Sequence, residues 1–250
     1  VSTKTNFLRI LELNTSKAPF TDVRVRHALN YAIDKQQLVN VAVAGLATVM
    51  TAPIPATTFG YAEQPPYTYD PEKARSLLAE AGYPNGFDMK VLTFTGDEYR
   101  TVGQVLQQMF AAVGVKMTLD QQERGALVDQ IFKPIGENPT QAALVGASAS
   151  TGDADLAITT SFLEQSFPPA ANNWSFYEND QVEKLVADAR ATGDQATRKQ
   201  LYAEALGIIW QDAPWVFLYS PDSVAGRSSS LTGVAYAPDN TVDARRAELH

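Results

Sequence analysis

The chain has 250 residues, of which 45% are hydrophobic and 19% charged, a composition typical of a globular protein with a large buried core. Its net charge of −8 disfavours binding to nucleic acid or to anionic lipid. Cysteine is absent and only His27 and His250 are histidines, which excludes thiolate zinc sites and cysteine nucleophiles and disfavours multi-histidine metal sites. We therefore expect neither a metal nor a cofactor.

The first eighty residues predict one strand followed by three helices. The strand covers residues 7–13, and the first helix begins near Thr21. Asp34 and Asp70 are typical helix-capping residues, and the proline after Asp70 suits a first helical position. Gly82 is expected to end the third helix.

Residues 87–147 alternate between strand and helix patterns. Strands are predicted at residues 87–94, 115–119 and 142–145, and one helix lies at residues 102–113. Strands joined through helices pair in parallel by right-handed crossovers. Helices are also expected from Ala154, after a cap at Asp180, and from Asp194, with a final strand at 215–219. The sequence therefore predicts an α/β fold with a parallel-rich sheet flanked by helices.

Loops that follow parallel strands are the expected place for a ligand. The loops at residues 94–97, 122–125 and 149–155 contain an arginine, hydroxyls and carboxylates, which suit a small zwitterion. The candidate ligand-binding residues, together with one aromatic residue further on, are Thr95, Arg124, Ser150, Thr151, Asp153, Asp155 and Trp174.

Several of these candidates have a simpler structural interpretation. Asp153 is also suited to cap the helix that starts near Ala154. Arg124 is equally compatible with a solvated or ion-paired surface position, and Trp174 with a core aromatic. Residues 153–158 resemble the start of a calcium loop but lack its later oxygen ligands and glycine.

Two long motifs resemble one known family. Residues 19–34 resemble the PFxDVRVRxALxYAID stretch of extracellular solute-binding proteins of the peptide/nickel class, family 5, which serve ATP-driven (ABC) importers. Residues 69–87 resemble the same family's YDPxKAxxLLxEAGYPxGF stretch. Residues 150–155 and 167–177 resemble the glutathione-binding branch, which has glutamate where this chain has Asp153 and tryptophan where it has Leu156.

The resemblance implies a type II periplasmic-binding fold, in which two lobes close on a ligand. Members are about twice this length, so the chain is expected to be the carboxy-terminal half. Its expected division is a hinge strand at 1–14, the second ligand-binding lobe at 15–213, and a returning hinge strand with a segment toward the first lobe at 214–250.

The resemblance also implies a function. The protein is expected to be a non-enzymatic, monomeric receptor in the periplasm of a Gram-negative bacterium that binds a small glutathione-like peptide and delivers it to a membrane permease. The family implies that the acidic residue at Asp153 holds the peptide's amino terminus and that the position of Arg124 lines the pocket. The arginine that some dipeptide binders use for the ligand carboxylate would lie near Thr93, where this chain has none. Arg124 is the candidate to supply that charge.

Two alternatives remain open from the sequence. One is nickel or metal-chelate binding within the same family, although His27 lies inside a helix motif. The other is an α/β hydrolase, for which the sequence offers no Gly-x-Ser-x-Gly nucleophile elbow and no catalytic histidine pairing.

Overall fold

A mixed seven-stranded sheet organises the structure, a computed structural model that describes residues 1–250. The strands are β1 (Ser2–Lys4), β2 (Phe7–Leu13), β3 (Ala47–Val49), β4 (Asp88–Phe94), β5 (Lys116–Gln122), β6 (Ala142–Ser148), β7 (Trp215–Val224), β8 (Leu231–Thr232), β9 (Ala235–Tyr236), β10 (Val242–Asp243) and β11 (Glu248–Leu249). The helices are α1 (Val23–Tyr31), α2 (Lys35–Val43), α3 (Pro71–Glu80), α4 (Asp97–Ala111), α5 (Arg124–Ile131), α6 (Ala154–Phe162), α7 (Asp180–Ala191) and α8 (Gln195–Asp212). The α/β prediction is confirmed.

The sheet is parallel only in part. β4 pairs in parallel with both β5 and β6, as the alternating pattern of residues 87–147 predicts. The pairs β2–β6, β2–β7, β1–β7 and β3–β7 are antiparallel. The expectation of a parallel-rich sheet therefore holds for the two pairs that β4 makes and is wrong for the other four pairs. The sequence pattern could not reveal this, because β2 and β7 enter the sheet from distant parts of the chain.

The predicted hinge strands lie inside the sheet. β2 occupies the middle of the strand order β1-β7-β2-β6-β4-β5, and β7 is its direct neighbour. β7 also continues past β2 to pair with β1 and β3. The last residues form two short ribbons, β9–β10 and β8–β11. The predicted division points at residues 14 and 214 thus lie next to the end of β2 and the start of β7.

Helices cover both faces of the sheet. Alternation along β2 sends Leu8 and Ile10 into a cluster of 28 buried residues with α5–α8, and Leu11 and Leu13 into a cluster of 25 with α1–α4. The similar size of the two clusters means that neither face of the sheet is left to solvent. No helix combines the length and the apolar character that crossing a membrane requires.

Most predicted helix ends are confirmed. The Asp34 and Asp70 side chains accept hydrogen bonds from the backbone N–H groups of Gln37 and Lys73. The expected cap at Asp180 is wrong, because the side chain of Asn179 caps α7. Asparagine and aspartate are comparable caps, so composition alone could not decide between neighbours.

Candidate ligand-binding site

A cavity of about 650 Å³ opens where β4 and β6 end. Its size is within the range of small-molecule sites. It is lined by Phe7, Glu12, Phe94, Tyr99, Arg124, Val128, Phe132, Gly146, Ala147, Ser148, Ser150, Leu156, Thr160, Ser161, Asn172 and Trp174. The carboxyl ends of the two parallel-paired strands therefore do border the principal cavity, as the topological rule predicts.

Helical spacing explains two of the cavity walls. Arg124, Val128 and Phe132 follow one another at intervals of four along α5 and its carboxyl end, so they share one face of the helix. Leu156 and Thr160 have the same relation on α6. Each of the two helices therefore turns one face toward the cavity.

Arg124 brings a positive charge to the cavity. Its side chain is exposed and forms no ion pair within the chain, and its guanidinium carbon lies 6.0 Å from the centre of the Phe94 ring. The ion-paired alternative therefore does not hold, whereas the exposure of the side chain agrees with a solvated position. A guanidinium at a cavity wall with no protein anion beside it is available to a ligand carboxylate.

Ser150 and Trp174 also line the cavity. Trp174 is half-buried and packs edge-on against Phe132, with ring centres 5.4 Å apart. Its buried indole Nε1 has no hydrogen-bond partner. Its neighbours Phe176 and Tyr177 are buried and do not line the cavity, so they are core aromatics. Trp174 fits that interpretation less well.

Asp153 is engaged elsewhere. It caps α6 by accepting a hydrogen bond from the N–H of Asp155 at 2.9 Å. Both carboxylate oxygens also accept from the guanidinium of Arg198, each at 2.8 Å. It is not among the residues that line the cavity. The capping interpretation is confirmed. The ligand role stays a prediction, and a ligand would have to compete with Arg198 for the carboxylate of Asp153.

Three further candidates lie beside the cavity rather than in its wall. Asp155 pairs with Arg190 at 2.6 Å, and Thr95 donates a hydrogen bond to Glu123 at 3.1 Å. Thr151 is exposed in the turn that follows Ser150. The structure therefore brings Ser150, Arg124 and Trp174 together and leaves these three, with Asp153, outside the lining.

Glu12 is a lining residue that the sequence patterns missed. It lies on β2 with only 4% of its surface exposed, and its Oε2 has no hydrogen-bond partner. Burial raises the pKa of Glu12 well above its usual range, and the indole of Trp215, directly across the strand pair, offsets only part of that shift. No charged group contributes to this pKa shift. The available signal was a single acid between Leu11 and Leu13, at the apolar end of the strand.

The raised pKa of Glu12 gives a testable pH dependence. Between the usual glutamate pKa of about 4.3 and the raised folded value, the folded state holds a proton that the unfolded state releases. The free energy of unfolding should therefore fall by about 1.4 kcal/mol per pH unit as pH rises through this window. Urea unfolding of wild type and Glu12→Gln, compared from about pH 4.5 upward, should show the variant gaining relative stability. A difference that stays constant with pH would contradict this.

A polar network holds the wall beside Glu98. Arg9 donates to Glu98 at 2.8 Å, and the hydroxyl of Tyr219 donates to the same carboxylate at 2.9 Å. The guanidinium of Arg9 lies 4.9 Å from the centre of the Tyr99 ring. These contacts fix the aromatic wall at Tyr99 without adding a free charge to the cavity.

The fold and the cavity define a ligand-binding α/β unit. No group of three or more histidine, cysteine, aspartate or glutamate residues is arranged to hold a metal ion. Residues 1–184 match the family described as bacterial extracellular solute-binding proteins, family 5 Middle. The chain belongs to this family, so the resemblance of its two long motifs is confirmed.

Curated relatives share this sequence over nearly the whole chain. The glutathione-binding protein GsiB of Pectobacterium atrosepticum is 40% identical over 245 residues, which cover 96% of this chain and 47% of that protein. GsiB of Escherichia coli (strain K12) is 39% identical, with 96% and 48% covered. The chain thus spans about half the length of these relatives.

Solved structures share the fold. HbpA2 from Haemophilus parasuis matches with a TM-score of 0.90 and 28% identity, covering 100% of this chain and 49% of that one. The periplasmic binding protein DppA from Helicobacter pylori, in complex with the peptide STSA, matches with a TM-score of 0.85 and 32% identity, covering 97% and 48%. The expected periplasmic-binding-protein fold is confirmed.

Proposed function

We propose that this chain is the second ligand-binding lobe of a substrate-binding protein of an ABC importer. The receptor captures a small glutathione-like peptide in the cleft between two lobes and delivers it to a membrane permease. It acts as a monomer in the periplasm of a Gram-negative bacterium and catalyses no reaction. The printed names of the GsiB relatives and the peptide complex of DppA support a peptide ligand.

The observation that carries the proposal is the open cavity at the ends of β4 and β6. Its lining holds one acid, Glu12, whose pKa is raised well above its usual range by burial, and one base, Arg124. The guanidinium suits a carboxylate of a glutathione-like peptide, and the hydroxyl of Ser150 and the indole Nε1 of Trp174 are polar groups of the same lining.

We assign direct ligand contacts to Arg124, Ser150 and Trp174. Thr95 and Thr151 adjoin lining residues in sequence, and Asp153 caps the helix that presents Leu156. We propose that these three, with Asp155, shape the loops around the ligand; a direct contact from Asp153 requires Arg198 to give up part of its pairing.

The lobe division follows from the same proposal. Residues 1–14 and 214–250 contain the neighbouring strands β2 and β7, and β7 is followed by the short ribbons β9–β10 and β8–β11. We propose that these segments form the hinge and lead toward the first lobe, while residues 15–213 grip the ligand. Lobe closure then supplies contacts that the present chain lacks.

Calorimetry tests the proposed function. The receptor with both lobes should bind a peptide from a panel of glutathione, oxidised glutathione and dipeptides. The 250-residue chain should bind it at least roughly tenfold more weakly, about 1.4 kcal/mol, because half a cleft makes fewer contacts. Equal affinities would contradict the two-lobe account. Binding of nickel with no peptide binding would favour the metal-chelate alternative, and peptide cleavage in the same samples would favour a hydrolase.

A further inference from the structure

Aromatic side chains form much of the cavity wall. The rings that line it belong to Phe7, Phe94, Tyr99, Phe132 and Trp174. All five side chains are half-buried, so each ring packs against the protein with one part and borders the cavity with the rest. Large aromatic side chains gain stability from burial, and this lobe alone leaves that gain incomplete. An apolar ligand group that covers the rings would complete it.

Four of the rings form two pairs at different depths. The outer aromatic pair is Phe94 and Tyr99, with ring centres 5.5 Å apart, and the guanidinium carbon of Arg124 lies 6.0 Å from the Phe94 ring. The inner aromatic pair is Phe132 and Trp174, with ring centres 5.4 Å apart. Trp174 also borders a small void further inside the protein. The charge of the cavity is therefore beside the outer pair.

The polar groups of the lining are most accessible at the cavity mouth. The exposed polar residues there are Arg124, Ser148, Ser150 and Asn172. Further in, Thr160 donates its hydroxyl to the carbonyl oxygen of Leu156 at 2.8 Å, and Ser161 is buried. Burial raises the pKa of Glu12 well above its usual range, which favours its uncharged form. The inner part of the cavity thus favours an apolar group over a charged one.

Helix α5 sets the distance between the charge and the inner aromatic pair. Arg124, Val128 and Phe132 share one helix face, and the helical rise places Arg124 and Phe132 about 12 Å apart along α5. An extended peptide spans about 3.5 Å per residue. The side chain of a carboxy-terminal residue whose carboxylate lies at Arg124 falls short of the inner pair. A long apolar group on the penultimate residue reaches it.

We propose that the ligand carries a bulky apolar group on its penultimate residue, which packs against Val128, Leu156 and the inner aromatic pair while Arg124 binds the terminal carboxylate. This inference rests on the proposed peptide-binding function and narrows its substrate class. In a glutathione-like peptide the penultimate residue is cysteine, so the apolar group is an alkyl or aryl substituent on the cysteine sulfur. In an ordinary peptide it is a long apolar side chain such as that of phenylalanine.

The test is calorimetric binding to the two-lobed receptor of S-methylglutathione and S-hexylglutathione, with glutathione as reference, and of the tripeptides Ala-Phe-Gly and Ala-Gly-Phe. The hexyl form should bind about tenfold more tightly than the methyl form, because burying even a few of its additional methylene groups gives that factor. Ala-Phe-Gly should bind about tenfold more tightly than Ala-Gly-Phe. These two peptides have the same composition and differ only in the position of the apolar side chain.

Two variants locate the effect in the cavity. Phe132→Ala removes one ring of the inner aromatic pair and should reduce each affinity ratio to about threefold or less. Leu156→Asn replaces an exposed lining residue, which spares the buried core, and should also reduce the ratios. Leu46→Asn is the matched control, because Leu46 is an exposed leucine outside the cavity lining, and its ratios should equal those of wild type. Should Phe132→Ala fold poorly, Leu156→Asn decides alone.

The outcomes separate this inference from the proposed function. If the wild-type receptor binds glutathione but both affinity ratios are close to one, the inference fails and the proposed function stands. A gain in the glutathione pair alone assigns the apolar group to S-substituted glutathione, and a gain in the tripeptide pair alone assigns it to apolar peptides. Ratios that the lining variants leave unchanged would place the apolar group outside this cavity and overturn the inference. Binding of no peptide at all would overturn the proposed function itself.

Discussion

Replacing Arg124 with alanine is expected to weaken peptide binding by about 2–5 kcal/mol, as removal of one partner from a buried ionic contact does. The guanidinium lies in the cavity wall and makes no ion pair with the protein. The closed cleft would desolvate it together with the ligand carboxylate. The melting temperature of the unliganded protein should barely change, since an exposed side chain without protein partners contributes little to folding. Calorimetry and thermal unfolding of the same sample measure both quantities.

Arg100 provides a control for long-range attraction. It is an exposed arginine at the start of α4, paired with Asp97 at 2.6 Å and absent from the cavity lining. Arg100→Ala removes the same charge from a helix that likewise follows a parallel strand but packs on the other face of the sheet, and it should leave peptide affinity within about 0.5 kcal/mol of wild type. A large loss of stability in Arg124→Ala with unchanged affinity would make Arg124 a structural residue.

The largest expected effect on folding is that of Gly86→Ala, which should lower the free energy of unfolding by about 3 kcal/mol or more. Gly86 has a φ of +75°, and a Cβ atom there would lie 1.9 Å from the carbonyl oxygen of Gly114. Left-handed backbone strain and a forced shift of neighbouring backbone each cost on the order of 1–3 kcal/mol. Urea unfolding measures the sum.

Gly82 separates the two contributions. It lies four residues earlier, has a φ of +92°, and has no atom within 4 Å of the position that a Cβ would take. Gly82→Ala should therefore cost only the backbone strain, about 1–2 kcal/mol. Equal losses in the two variants would mean that the close approach of Gly86 to Gly114 does not determine the stability of this turn.

The sequence predicted the local elements well because their signals are local. Asp34 and Asp70 cap helices as expected, and the strand–helix alternation of residues 87–147 gives the parallel pairs of β4. It could not predict that β2 pairs antiparallel with β6 and β7, because that pairing joins segments more than a hundred residues apart. The hydrophobic pattern of one strand does not show which distant strand pairs with it, or in which direction.

The sequence predicted where the cavity lies and only some of the residues that line it. The strand-end rule pointed to the loops of Arg124 and Ser150, and both residues border the cavity. It equally favoured Asp153, since a loop position does not tell which partner a carboxylate finds; here the partner is Arg198, 45 residues later. Glu12 was missed because its significance depends on burial and on the missing partner for Oε2, neither of which a strand pattern contains.

A crystal structure of the two-lobed receptor with bound glutathione tests the central claim most directly. The peptide should occupy the cavity at the ends of β4 and β6, with one of its carboxylates at Arg124. A peptide bound outside this cavity, or one whose carboxylates make no contact with Arg124, would contradict the account.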